Sequence, residues 1–183
     1  MVRIATIVGS LSRHSINRQL ADALAARLRT EADVDVVDIS IANLPLYCRD
    51  LETQFPAEAT RLKEEVRAVD GIAFLTPEYN RTFSAALKNA LEWGSRPWGD
   101  NAFAGRAVAV LGTSPGVLGA AIAQHQLRPV LSSLGMPVMS TPELYWRYAD
   151  NQFDGEVVTD ADARERLDRF AQAFLTHVRR HAV

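Results

Sequence analysis

The chain reads as an α/β protein built on a doubly wound parallel sheet, and three observations predict this. Nearly continuous apolar runs at 2–8, 71–76 and 106–112 have the composition of strands covered on both faces. Segments of helical period fill the gaps, so strand-like and helix-like stretches alternate along the chain. The segments that follow the first, third and fourth strands are rich in small and hydrogen-bonding residues, and the carboxyl edge of such a sheet is where ligands bind.

The elements follow in order. Val2-Arg3-Ile4-Ala5-Thr6-Ile7-Val8 is the first strand. Ser15 is a good N-cap, and Ile16, Leu20, Leu24 and Leu28 recur every four residues behind it, marking a helix with one apolar face. Residues 33–39 alternate polar and apolar side chains, as an edge strand does. Pro56 suits a first helical position, with Leu62, Val66 and Val69 sharing a face behind it. After the strand at 71–76, Ser84 or Thr82 is placed to cap a helix running through Trp93. After the strand at 106–112 a helix is predicted over 117–134, then a weaker fifth strand around 137–140. Residues 141–158 lack a clear pattern and read as a surface excursion. The last helix carries one stripe, Leu167, Phe170, Ala171, Phe174, Leu175 and Val178. Thr159 and Asp160 stand at its start and Arg179, Arg180 and His181 at its end, which complements the helix dipole. Five βα units fit one domain over 1–183, with right-handed crossovers placing helices on both faces.

Bulk composition narrows the function. With 183 residues and 48% apolar content the chain is long enough to bury a core and is not disordered. A net charge of −2 with acids and bases mixed, and no basic stripe, argues against nucleic acid as a partner. Cys48 is the single cysteine, so no internal disulfide forms, and no Cys/His cluster has metal-site spacing. Cys48 lies beside Arg49, a neighbour that lowers thiol pKa, but an incidental loop cysteine is the simpler reading. The N-terminus enters a strand at once, and no apolar run reaches membrane-spanning length; a cytoplasmic protein without membrane insertion is expected.

Gly9-Ser10-Leu11-Ser12-Arg13-His14-Ser15-Ile16-Asn17 joins the first strand to the first helix. One glycine, three serines, an arginine and an asparagine ahead of a helix N-terminus form the donor set that a phosphate monoester requires. The segment lacks G-x-G-x-x-G, so a dinucleotide held in the usual Rossmann way is not expected. The reading without a ligand is that Ser15 caps a helix and Arg13 is a solvated surface residue. In Thr76-Pro77-Glu78-Tyr79-Asn80-Arg81-Thr82, Pro77 stiffens a turn against which a planar heterocycle fits. Glu78 acts there through its backbone more than through its carboxylate, and Tyr79 is otherwise a half-buried packing aromatic. Trp93 and Trp98 read as core or subunit-interface residues. Gly112-Thr113-Ser114-Pro115-Gly116 has the spacing of a hydrolase nucleophile elbow. Pro115 stands where that elbow donates a backbone N–H to the oxyanion, and proline has none. No histidine partner for Ser114 is evident, so hydrolysis is disfavoured. A receiver-type phosphorylation domain is also disfavoured, because the third strand ends Phe74-Leu75-Thr76 rather than in a phosphoacceptor aspartate.

Taken together, Pro77-Glu78-Tyr79-Asn80 followed by Ala86-Leu87-Lys88-Asn89-Ala90-Leu91-Glu92-Trp93, and Gly9-Ser10 with Ser15-x-Asn17, resemble the NADPH-dependent FMN reductase family. This group includes bacterial quinone and chromate reductases and related azoreductases. The resemblance covers about residues 3–135. It implies a flavodoxin-like three-layer αβα sandwich with a five-stranded parallel sheet in the order 2-1-3-4-5. It implies non-covalent FMN, with Ser10, Arg13, Ser15 and Asn17 holding the phosphate and Ile16 in the same cofactor-binding set. Pro77, Glu78, Tyr79 and Asn80 would line the isoalloxazine, and Ser114 and Gly116 would border its other edge. One departure stands out. Many members carry arginine two positions after the first serine of this loop, where this chain has Ser12, with Arg13 one place later. The family further implies NADPH or NADH as co-substrate, and a quinone, free flavin, azo compound or metal oxyanion as acceptor. It implies a homodimer or homotetramer, with the helix over 84–93 and the Trp98 loop as contacts. Two rivals share the fold: a flavin-free regulatory or scaffold domain, and a flavodoxin-type electron carrier with no nicotinamide reaction of its own. A near-neutral chain lacks the acidic docking surface such a carrier uses.

Overall fold

A computed structural model describes residues 1–182. Five strands form one parallel sheet: β1 (Val2–Val8), β2 (Val34–Asp38), β3 (Gly71–Leu75), β4 (Ala107–Ser114) and β5 (Tyr145–Arg147), in the order β2-β1-β3-β4-β5. Val8 pairs with Leu75, and Leu75 with Leu111, so β1 and β3 end level with one another and β4 runs on to Ser114 at the same edge of the sheet. The remaining elements are α1 (Ile16–Leu28), α2 (Ala57–Arg67), α3 (Ala85–Gly94), α4 (Ala121–Ser133), a short antiparallel pair of β6 (Phe153–Asp154) and β7 (Val157–Val158), and α5 (Ala161–His181).

The sheet separates two apolar layers. Leu20, Leu24 and Leu28 of α1 meet Phe170, Phe174 and Val178 of α5 on one face. Leu62 and Val66 of α2, Leu91 and Trp93 of α3, and Leu127 and Leu131 of α4 cover the other. The stripe expected on the last helix is buried at all its positions, and Asp160 caps that helix by accepting from the Ala163 N–H at 2.7 Å. Ser84, not Thr82, caps α3, accepting from the Leu87 N–H at 3.2 Å. Pro56 is the residue before α2 rather than its first helical residue. Trp93 lies in the core and donates from Nε1 to the Pro45 carbonyl at 2.7 Å.

The fifth strand and the end of the chain correct the sequence reading. Residues 137–140 make only an isolated bridge, Val138 beside Val108, with bonds from Val108 N–H to Pro137 O and from Met139 N–H to Val108 O, each 2.8 Å. Pro137 has no N–H to extend the ladder. The strand proper is Tyr145–Arg147, which pairs with the carboxyl end of β4, Gly112–Ser114, where β3 has already ended. Residues 141–158 are therefore not a loose excursion. Leu144, Trp146 and Val158 are core residues, and the Trp146 ring stacks on Phe153 with centroids 5.6 Å apart. A run this short, set by pairing rather than by its own period, leaves little trace in sequence. Similarly α4 starts at Ala121, later than the 117 expected, because 117–120 form turns.

A buried lysine ties α2 to the loop after α3. The Lys63 ammonium donates to the Asp100 carbonyl and to Asp100 Oδ2, each at 2.7 Å, and to the Arg96 carbonyl. Arg67 also reaches Asp100. The hydrogen bond from Lys63 holds the Asp100 carboxyl below its usual 3.8, outweighing the opposing effect of desolvation. The folded state therefore gains from ionised Asp100 above that usual value and loses the gain as pH falls through the depressed one. Asp100→Asn is expected to unfold at lower denaturant than the parent at pH 7. The gap should close as pH is taken below about 3.8 in urea titrations at each pH. A gap independent of pH contradicts the ion-pair assignment.

Candidate functional site

The three small-residue loops come together at the carboxyl edge, joined by backbone bonds. Gly9 N–H donates to Leu75 O at 2.8 Å, and Thr76 N–H to Leu111 O at 3.0 Å. Gly112 is needed where β4 passes this point, since a Cβ there would lie 2.2 Å from the Thr76 carbonyl oxygen. Between the loops is a cleft of about 260 Å³. The first loop contributes Ser10, Ser12, His14, Ser15, Ile16 and Asn17, the second Pro77, Glu78 and Tyr79, and the third Thr113, Ser114 and Pro115.

Of the residues expected at the cofactor, Ser10, Ser15, Ile16, Asn17, Pro77, Glu78, Tyr79 and Ser114 line this cleft, while Arg13, Asn80 and Gly116 do not. Arg13 sits with His14 in an exposed turn ahead of α1 and has no ion pair among the described residues. Asn80 and Arg81 form the tip of a two-residue turn, with φ of 51° and 66°, closed by the mutual backbone bonds of Tyr79 and Thr82 at 3.0 Å. Positive φ at both central residues is the type I′ geometry, which asparagine tolerates well. Ser12, His14, Thr113 and Pro115 also line the cleft, beyond the residues assigned to the cofactor from sequence. Membership of the same loops is the signal that links them to it.

The first loop ends at a helix start with donors unpaired among the described residues. Ser15 Oγ accepts from the Arg18 N–H at 3.2 Å, capping α1, and its hydroxyl proton stays available. The first-turn N–H groups of Ile16 and Asn17 have no acceptor among the described residues. A helix N-terminus with free amides and hydroxyls attracts an anion. The capping reading and the ligand reading of Ser15 are thus compatible.

Asn17 is tied to β4. The residue is 1% exposed, and its carboxamide bonds to the backbone of one residue: Nδ2 donates to Thr113 O at 3.0 Å, and Oδ1 accepts from Thr113 N–H at 2.9 Å. These bonds use one of the two Nδ2 hydrogens. The Glu78 carboxylate is likewise held by backbone. Oε2 accepts from the Ile122 N–H at 3.1 Å and the Ala123 N–H at 3.3 Å, at the start of α4, and its side chain is only 12% exposed. Tyr79 is 52% exposed, so it flanks the mouth rather than packing beneath the loop. Leu11, Val117 and Leu118 are exposed on the first and third loops.

The arrangement favours binding a flat, singly phosphorylated molecule over acid–base or nucleophilic chemistry. His125 contacts Tyr145 and His177 contacts Pro137 O, so neither serves Ser114, and Pro115 supplies no amide to an oxyanion. No group of three His, Cys, Asp or Glu residues forms a metal site among the described residues, and Cys48 is an exposed loop residue.

Comparison with known proteins gives the same reading. The family described as NADPH-dependent FMN reductase matches residues 2–151. A 2-hydroxy-1,4-benzoquinone reductase from a Burkholderia species is 42% identical over 180 residues, 97% of each chain. A quinone reductase from Pseudomonas putida is 39% identical, spanning 96% of this chain and 94% of its own. Among solved structures, the flavoenzyme NAD(P)H:(acceptor) oxidoreductase FerB from Paracoccus denitrificans superposes with a TM-score of 0.94 at 35% identity over the whole of both chains. With the family match over most of the chain, relatives at 39–42% identity and the sheet order in place, the chain belongs to the NADPH-dependent FMN reductase family.

Proposed function

We propose that this chain, acting as one flavin-binding domain, is an FMN-dependent NAD(P)H oxidoreductase that reduces quinones and related small acceptors. The observation that carries this is the helix start of α1, whose free amides at Ile16 and Asn17 open onto the same cleft as the Pro77–Tyr79 turn and Ser114. FMN held in this cleft would supply hydride and electron transfer between NAD(P)H and the acceptor. The protein's part is to hold and orient. Ser10 and Ser15 offer hydroxyls to the phosphate, and the Ile16 and Asn17 amides offer N–H donors. Arg13, exposed and unpaired among the described residues, reaches the same anion from outside the cleft; Asn80 and Gly116 act from the edges of their turns. Pro77 and Tyr79 present a rigid rim to the ring system. The apolar side chains of Leu11, Val117 and Leu118 favour flat, weakly polar acceptors at the mouth.

The named activity of the relatives supports quinones as the acceptor class. Free flavin, azo compounds and metal oxyanions belong to the same open-site chemistry. No helix among the described residues is long and apolar enough to cross a membrane, in keeping with work in the cytoplasm. We further propose a homodimer or homotetramer. Trp98 is 90% exposed on the loop after α3, an unusual position for so large an apolar ring, and Leu46 is exposed as well.

Purified protein should be yellow, and its absorption should bleach on mixing with NADPH under nitrogen. A flavin that stays oxidised would point to the electron-carrier reading. Replacing both Arg13 and Ser15 by Ala is expected to weaken FMN binding to apoprotein by about tenfold or more per contact removed; an unchanged Kd rules out the phosphate assignment. Asn17→Ala is expected to cost about 2–4 kcal/mol in urea unfolding, because two buried backbone groups of Thr113 lose their partners. A loss well under 1 kcal/mol would show the brace to be dispensable. Trp98→Glu should lower the oligomeric state seen by light scattering, with FMN content retained.

A further inference from the structure

Helix α4 begins without a capping residue of its own. The residue before it, Ala120, has φ 62° and no side-chain acceptor. The preceding Gly119, at φ +52°, is clamped against β5, where a Cβ would lie 2.8 Å from the Trp146 backbone. The chain therefore enters α4 by a tight turn of two left-handed residues, and alanine at the cap position supplies no side-chain acceptor. Two of the first amides find partners nearby: Ala121 N–H donates to Leu118 O at 3.0 Å and Gln124 N–H to Ala120 O at 3.1 Å. Ile122 and Ala123 find theirs in Glu78 alone, 44 and 45 residues back in sequence. Uncapped amides at a helix start cost stability and leave a partial positive charge unanswered.

We propose that Glu78 is a positioning residue whose carboxylate serves as the missing N-cap of α4, locking the third cleft loop to the second and holding a negative charge at the edge of the flavin cleft. Oε2 accepts from two amides, which fixes the carboxylate against α4, and Oε1 lies 3.8 Å from the Arg81 guanidinium, a charge contact longer than a hydrogen bond. Glu78 follows Pro77 directly, so the residue that stiffens the second loop is anchored at once to the helix that follows the third. Glu78 and Asn17 thus form two long-range braces: the first loop is bound to the end of β4, and the second loop to the start of α4. The positive end of α4 lies beside the cleft, and an anionic reduced cofactor gains from positive potential. Glu78 answers that potential. Its charge therefore restrains the cofactor's tendency to accept electrons, while its hydrogen bonds keep the pocket in shape.

The inference rests on FMN occupying this cleft, and the test separates the two. Glu78→Gln keeps an acceptor oxygen but removes the charge; Glu78→Ala removes both. Amide exchange at Ile122 and Ala123 is expected to quicken about tenfold in Glu78→Ala and to stay near the parent rate in Glu78→Gln. FMN titrated into Glu78→Ala apoprotein should bind about tenfold more weakly, with Gln restoring most of the affinity. The midpoint potential of the holoenzyme should move positive in Glu78→Gln, a shift that a purely structural role would not produce. Parent-like exchange in Glu78→Ala overturns the capping role, and an unchanged or more negative potential in Glu78→Gln overturns the electrostatic one. If Glu78→Ala does not fold, the Gln variant decides through its potential. If the unmodified apoprotein takes up no FMN, the cofactor reading fails instead, and exchange at Ile122 and Ala123 still tests the cap.

Discussion

The paired hydrogen bonds between the Asn17 carboxamide and the Thr113 peptide, 3.0 and 2.9 Å long, hold the functional edge of this molecule together. Asn17 is in the first turn of α1 and Thr113 in the last residues of β4, 96 positions away. Parallel pairing of β1, β3 and β4 brings these segments near one another but does not set their spacing. A buried amide that matches both the N–H and the C=O of one residue does, since either group left alone in the interior is costly. The distance between the start of α1 and the Ser114 rim follows from that contact.

Charge is arranged on the same principle. The lining is mostly hydroxyl and amide, and its one acidic side chain, Glu78, is engaged with the start of α4. Exposed arginines at positions 13 and 81 stand outside it. A doubly charged phosphate and an anionic nicotinamide dinucleotide therefore approach a surface with little repulsion, although the whole chain carries a net charge of −2. Where the reactive group belongs to a cofactor, a protein needs no nucleophile of its own, and the histidines and the cysteine of this chain are accordingly placed for packing or exposed away from the cleft, except His14 at its rim.

Much of the fold was legible because it is written in local period. The strands at 2–8, 71–76 and 106–112 were bounded to within a residue or two, and the stripe on α5 was recognised residue by residue. The site was legible as far as its loops. Short donors before a helix start and a proline-stiffened turn are signals carried by neighbours in sequence, and Ser10, Ser15, Ile16, Pro77 and Tyr79 share one cleft. Arg13 lies in an exposed turn beside that cleft, a placement set by backbone geometry that composition does not encode.

By itself, then, the sequence determined a parallel sheet and its helical layers from patterns that repeat over a few residues, while the sheet order and the flavin came from the resemblance of its loop motifs to a family. Only the tertiary structure decided where β5 pairs, that 144–158 joins the core, that Asn17 faces Thr113 and that Glu78 caps a distant helix. Those outcomes depend on contacts between segments tens of residues apart. A polar side chain chooses its partner there by which buried backbone group would otherwise go unpaired, and that is known only once the chain has closed on itself.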